Sequence, residues 1–193
     1  MLFLIIVSII CLVGAKLVFS ESPKSKGAKG EAIVAFALSN SLEPEVYKQI
    51  NDIIIPRNNY HNQASRTDSA QIDHIVLSEY GIFVIETKNY SGWIFGSPQS
   101  RIWTQVVYSE KNKFQNPIKQ NWGHIYALSY FLQVPRYKFR NIVCFVGDAE
   151  FKTELPQEVY IDGSFVDFIS SHKEKVLSPS EVSRIAVKLS MEV

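Results

Sequence analysis

The stretch Gln71-Ile72-Asp73-His74-Ile75-Val76-Leu77-Ser78-Glu79-Tyr80-Gly81-Ile82-Phe83-Val84-Ile85-Glu86-Thr87-Lys88 decides how this chain is read. Ile72 to Leu77 and Ile82 to Lys88 predict two strands, with a turn at Ser78-Glu79-Tyr80-Gly81 between them. Side chains alternate across a strand, so Glu86 and Lys88 share a face while Thr87 points the other way. In an antiparallel pair the start of the first strand lies beside the end of the second, so Asp73, Glu86 and Lys88 are expected to converge at one end of the sheet. Charges after so apolar a run are costly unless they pair or hold a metal. Two carboxylates suit Mg2+ or Mn2+, which keep several waters and bind phosphate oxygens. Such a cation polarises a phosphodiester and lowers the pKa of a bound water. A lysine beside it orients that water or stabilises developing negative charge. Taken alone, Glu86 and Lys88 read more readily as a surface cross-strand ion pair worth little; Asp73, Glu31 and Gln120 in order turn the reading toward a metal site.

Around this centre the pattern is that of one α/β domain with a mixed sheet. Glu31 to Leu38 predicts a helix, Gln49 to Ile55 a strand ending at Pro56, and the polar stretch from Arg57 to Ala70 a loop. Gly92 to Phe95 and Arg101 to Tyr108 predict a further hairpin. Asn116-Pro117 opens a helix to about Leu132, with Asn as N-cap and Pro at the first helical position. Asn141 to Val146 predicts a buried strand and Glu158 to Ile161 a short one. Ser178-Pro179-Ser180-Glu181 is a capping box opening a last helix to about Met191. A chain of 193 residues, 46% hydrophobic and 20% charged, has room for one proper core. Its formal net charge of +1 excludes bulk basicity, so a nucleic-acid partner needs a local patch. Cys11 and Cys144 both lie in apolar runs and suggest no disulfide, and no CxxC or HExxH spacing points to zinc.

Leu2 to Phe19 is apolar except for Ser8 and Lys16. At about 1.5 Å per residue it just spans a hydrocarbon core of about 30 Å. A cleaved signal peptide competes, with Val13-Gly14-Ala15 as a passable cleavage site. Against it, no basic residues precede the run; Lys16, Lys24, Lys26 and Lys29 follow it. The expectation is a single-pass anchor over residues 1–20, held in the bilayer by residues 1–19, with the following domain facing the cytoplasm. Residues 21–26 read as a linker and 27–193 as the domain. The flanking lysines also suit anionic lipid or nucleic acid.

The ordered set of motifs resembles the nuclease-related domain family of the PD-(D/E)xK nuclease superfamily. The matching pieces are Gly27-Ala28-Lys29-Gly30-Glu31, Gln71-Ile72-Asp73-His74, Gly81 through Lys88 continuing Asn89-Tyr90-Ser91-Gly92, Trp103, and Asn116-Pro117 with Gln120. Ile72, not Pro, precedes Asp73. The resemblance implies a restriction-endonuclease-like core and a Mg2+- or Mn2+-dependent hydrolase acting on nucleic acid, DNA first. It implies that Asp73 and Glu86 bind the metal together with the Thr87 carbonyl, and that the helical acid Glu31 completes or orients the site. Lys88 matches the catalytic lysine, and Gln120 the supporting glutamine of the next helix. His74 reads as a supporting contact or a structural histidine. Trp93, Phe95, Trp103, Trp122 and Tyr126 read as core or as base-stacking groups. A non-catalytic nucleic-acid-binding or signalling adaptor on the same fold is the alternative; strandedness and oligomeric state are not encoded in these motifs.

Overall fold

The computed structural model describes residues 22–56 and 69–192. The apolar run expected to anchor the chain lies outside them, as does most of the expected loop. Among the described residues no helix is long and apolar enough to cross a membrane.

Among the described residues nine strands form two sheets. The larger contains β1 (Lys48–Pro56), β2 (Ser69–Ser78), β3 (Gly81–Asn89), β7 (Phe139–Val146) and β9 (Val159–Tyr160), in that spatial order. Its β1-β2-β3 part is antiparallel, while β7 and β9 add parallel to β3. The smaller sheet has the order β6-β5-β4-β8, from β4 (Gly92–Phe95), β5 (Ile102–Val107), β6 (Glu110–Gln115) and β8 (Ala149–Phe151). It forms a wing: β4 to β6 are inserted in the chain between β3 and β7, and β8 joins them from after β7.

Helices cover both faces of the larger sheet. α1 (Pro23–Ser41) and α3 (Ser164–Ser171) bury Val34, Leu38, Phe165 and Ile169 against Val76, Phe83, Ile85 and Cys144. α2 (Pro117–Leu132) and α4 (Pro179–Ser190) bury Ile125, Leu128, Val182 and Ile185 against Ile75, Leu77, Ile82 and Val84. The apolar run of β3 is thereby explained, since Gly81 through Thr87 is buried without a break.

Asn116 caps α2 as expected, its side chain accepting from Ile118 N at 2.9 Å, and the Ser178–Glu181 capping box is formed. Two expectations need correction. α1 begins at Pro23, with Ser22 accepting from Ser25 N at 3.2 Å, so residues 23–26 are helix rather than linker. The reason is an N-cap followed by proline, the same start signal as at Ser178-Pro179. β2 begins at Ser69 and therefore takes in the end of the expected loop. The structure also adds β6, β8 and α3, which the sequence pattern did not announce.

Candidate active site

The site begins as a fault in the pleat. Ala70, Ile72, Ile75 and Leu77 all enter one core, so the alternation of β2 slips between Ile72 and Ile75. On β1, Ile50, Ile53 and Ile55 show the same slip. Ile53 pairs with Ile72 and Asn51 with His74, which sets Asp52 opposite Asp73. Asp52 takes a φ of 50°, a left-handed conformation that Asp tolerates better than most residues. The slip turns Asn51, Asp52, Asp73 and His74 toward the face covered by α1.

Asp73 also stands where β2 and β3 separate. Their ladder ends at the His74–Ile85 pair. One residue further, the Thr87 N–H donates to Asp73 Oδ2 at 2.7 Å instead of to a backbone carbonyl. β3 continues alone beside β7 as far as Asn89.

α1 and α2 bring the remaining groups. At Gly30, α1 crosses so closely that an added Cβ would stand 2.7 Å from Asn89 Cβ. Asn89 Nδ2 also donates to the Lys26 carbonyl at 2.7 Å, which ties the start of the helix to the end of β3. Glu31, next to Gly30, is thereby held over the site. α2 is pinned by Asn121, whose Nδ2 donates to the carbonyls of Val84 (2.8 Å) and Ile142 (3.0 Å). One residue before it, Gln120 faces the end of β3.

Glu86 is 3% exposed, so its charge needs partners. Its Oε1 accepts from Lys88 Nζ at 2.5 Å and from Gln120 Nε2 at 2.8 Å, and Lys88 also donates to Gln120 Oε1 at 3.2 Å. His124 Nε2 stands 3.4 Å from Glu86 Oε2. That is a long contact, and neither ring nitrogen of His124 has a hydrogen-bond partner. The carboxylate, ammonium and amide form a closed triangle.

Burial, then the neighbouring Glu86 charge, pushes Asp73 up to about 7, against the Thr87 N–H that favours ionisation. Burial opposes ionisation of Glu86 as well, but the His124 and Lys88 contacts outweigh it and hold Glu86 below the ordinary range. Lys88 moves the opposite way, upward, because Glu86 overcomes the cost of its burial. Glu31 is raised by burial, by Asp52 and by Glu86. His74, driven by burial to about 4, is neutral; its Nδ1 meets Asn51 Oδ1 at 2.9 Å and its Nε2 is buried without a partner.

Of the residues singled out in the sequence, Asp73, Glu86, Thr87, Lys88 and Gln120 are thus gathered at one end of the sheet. Glu31 acts on them through its charge. Two residues were missed. His124 lies four positions after Gln120, on the same helical face, and that spacing was the available signal. Asp52 is brought in only by cross-strand register. Of the five aromatic residues, Trp103 is fully buried, while Trp93, Phe95 and Tyr126 are exposed.

Among the described residues no three of His, Cys, Asp and Glu are gathered to hold a metal ion. Magnesium, however, is held by as few as one or two carboxylates. Asp73 and Glu86 are oxygen donors of that kind, and the Glu86 and Glu31 charges both push Asp73 up. The donor set therefore fits a hard divalent cation.

An α/β core with mixed sheets, carrying a carboxylate–lysine cluster at a strand end, is nuclease-like. The chain belongs to the nuclease-related domain family, whose model matches residues 26–146, and that family is part of the PD-(D/E)xK-like nuclease superfamily. It is also similar to an uncharacterized protein of Bacillus anthracis, 41% identical over 111 residues, covering 58% of this chain. The match spans 49% of that relative, about half its length. No solved structure is significantly similar.

Proposed function

We propose that this chain is a metal-dependent nuclease hydrolysing nucleic-acid phosphodiesters, DNA first. The observation that carries the reading is Lys88, its ammonium held against buried Glu86 beside Asp73. Asp73, Glu86 and the Thr87 carbonyl would hold Mg2+ or Mn2+, with Glu31 completing or orienting the set. Bound there, the cation supplies Lewis acidity at a phosphoryl oxygen and a more acidic water. Lys88 carries a fixed positive charge that stabilises the negative charge developing on phosphate oxygens. Gln120 contacts both Lys88 and Glu86 and so orients them.

The test is cleavage of mixed single- and double-stranded DNA and RNA by the full chain, with Mg2+ and with EDTA. Cleavage should require the metal, and Lys88→Ala should lower it about 10²-fold or more, the scale of a lost charge-stabilising group. Undiminished cleavage in EDTA would end this reading.

One observation favours a second reading, a non-catalytic nucleic-acid-binding or signalling adaptor. Glu86 is already engaged by Lys88 and Gln120 and faces His124, so the triangle is satisfied without a metal. Binding without turnover under every metal condition would select it.

For residues 1–19 we infer a membrane anchor with the domain on the cytoplasmic side, from their hydropathy and the lysines that follow. The full chain should then stay with membranes through a carbonate wash. A mature N-terminus at Lys16 would show cleavage instead.

A further inference from the structure

We propose that the uncovered face of the wing is a stacking platform for single-stranded nucleic acid. The proposal deepens the nuclease reading, on which it rests for its link to the site, by naming the substrate as an unpaired strand.

The wing has one packed face. Ile94, Trp103, Phe114 and Phe151 turn inward onto Phe145, Ile118 and Val143. By strand alternation the other face carries Trp93 and Phe95 on β4, Thr104 and Val106 on β5, and Lys111 and Lys113 on β6. Cross-strand register sets Trp93 beside Val106 and Val106 beside Lys111; it sets Phe95 beside Thr104 and Thr104 beside Lys113. Two parallel rows result, each running from an aromatic ring to a lysine. Trp93 is 49% and Phe95 37% exposed, and the buried apolar residues of the four described helices lie in the two cores of the larger sheet or, as Ile118 of α2 does, under the wing's packed face, away from this one. Lys152 lies over the Trp93 ring at 4.9 Å and pairs with Glu150.

Large rings left in water beside lysines have a ligand chemistry. Every unpaired base offers a π-face, and base–aromatic stacking tolerates any sequence. Trp93 and Phe95 are about 6.6 Å apart along the strand, roughly two base steps of 3.4 Å, so neighbouring bases of a stretched strand can each meet a ring. The lysine end of each row suits the phosphate backbone. A duplex hides its π-faces, and this selects the single strand. A membrane-facing surface would want aliphatic bulk where Thr104, Gln115 and Glu150 stand.

The platform is joined to the site at both ends. The chain passes from Lys88, near the end of β3, to Gly92, whose φ is 79° and where a Cβ would lie 2.3 Å from the Val106 carbonyl oxygen, so only glycine makes that entry into the wing. β6 leaves the wing at Gln115 and leads through Asn116 into the helix bearing Gln120. The wing is thus bonded in the chain directly to the strand that carries Lys88 and the helix that carries Gln120.

The experiment is an anisotropy titration of the full chain, in detergent and EDTA, with labelled oligothymidylate and a duplex of equal length, joined by a flotation assay, after removal of the detergent, with vesicles containing phosphatidylserine. The single strand should bind at least about tenfold more tightly than the duplex, and Trp93→Ala should weaken it roughly tenfold. Trp93→Phe should retain most of the affinity. Lys113→Glu, at an exposed position outside the core, should flatten the salt dependence by about 0.7 in log–log slope for one lost phosphate contact. If Trp93→Ala fails to fold, the Lys113→Glu salt slope decides. Unchanged binding by both variants, a preference for duplex, or binding to vesicles and not to oligothymidylate overturns the proposal. Because EDTA suppresses turnover, a chain that binds the strand and never cuts it in Mg2+ keeps the platform and loses the nuclease reading. Cutting combined with variant-insensitive binding does the reverse.

Discussion

The five-stranded sheet and the four-stranded wing obey the same strand geometry under opposite conditions of solvent. The first is covered on both faces, so its central strand is apolar in either direction and any charge in it is committed to a partner. Among the described residues the second is packed on one face only, and its outward positions hold lysines, a threonine and two rings in water. A polar group at the end of β3 is therefore a strong statement about chemistry, whereas polar groups on β6 cost little and inform through their arrangement.

The contrast is broken most severely in the core. Phe83 is fully buried between α1 and α3. Phe83→Ala should cost about 4 kcal/mol, the scale of an emptied aromatic site, read from chemical denaturation. A loss under about 1 kcal/mol would mean that the helices do not close over β3.

The two carboxylates of the site should then part company. Glu86→Gln leaves the Lys88 ammonium in a mostly buried position without its counter-charge, and should destabilise the metal-free fold by up to about 3 kcal/mol. Asp73→Asn keeps the shape that meets the Thr87 N–H and removes a charge that burial and Glu86 oppose. The sign follows from the raised folded value: the folded state binds the proton more tightly than the unfolded state. Stability is therefore fully present below the unfolded value near 3.8 and is lost as pH climbs through about 7. Asp73→Asn should remove that decline and stabilise the metal-free protein at pH 8 by on the order of 1 kcal/mol. Thermal melts in EDTA from pH 4 to 8 read both variants. Equal losses for the two would mean that Asp73 is paired as firmly as Glu86.

The smallest effect belongs to the wing. Ile102 is 53% exposed at the outer end of β5, and Ile102→Ala should change stability by no more than about 0.5 kcal/mol. A large loss in the same denaturation series would show that something covers the wing.

Most of the site was legible because its signals are local. Glu86 and Lys88 are two residues apart on a strand, Asp73 lies one hairpin away, and Asn116-Pro117 announces the helix bearing Gln120. Asp52 was not legible: its approach to Asp73 depends on a pleat slip shared by two strands, visible only once the core shows which isoleucines point inward. His124 was half legible, by helical spacing from Gln120 and nothing else. β6, with Phe114 as its one large apolar residue, carries too little hydrophobic pattern to announce itself. α3 is short and lacks a side-chain cap.

By itself the sequence determined the α/β class, the order of most elements, the helix starts at Asn116 and Ser178, and the residues from which the site is built. Periodicity, capping and turn chemistry act over a few residues and are written in adjacent letters. Only the tertiary structure decided that the inserted strands form a separate wing with a wet aromatic face, and that one of two neighbouring carboxylates is held ionised while the other resists ionisation. Both depend on which surfaces lose water, and burial is a property of the packed molecule that no short stretch of chain contains.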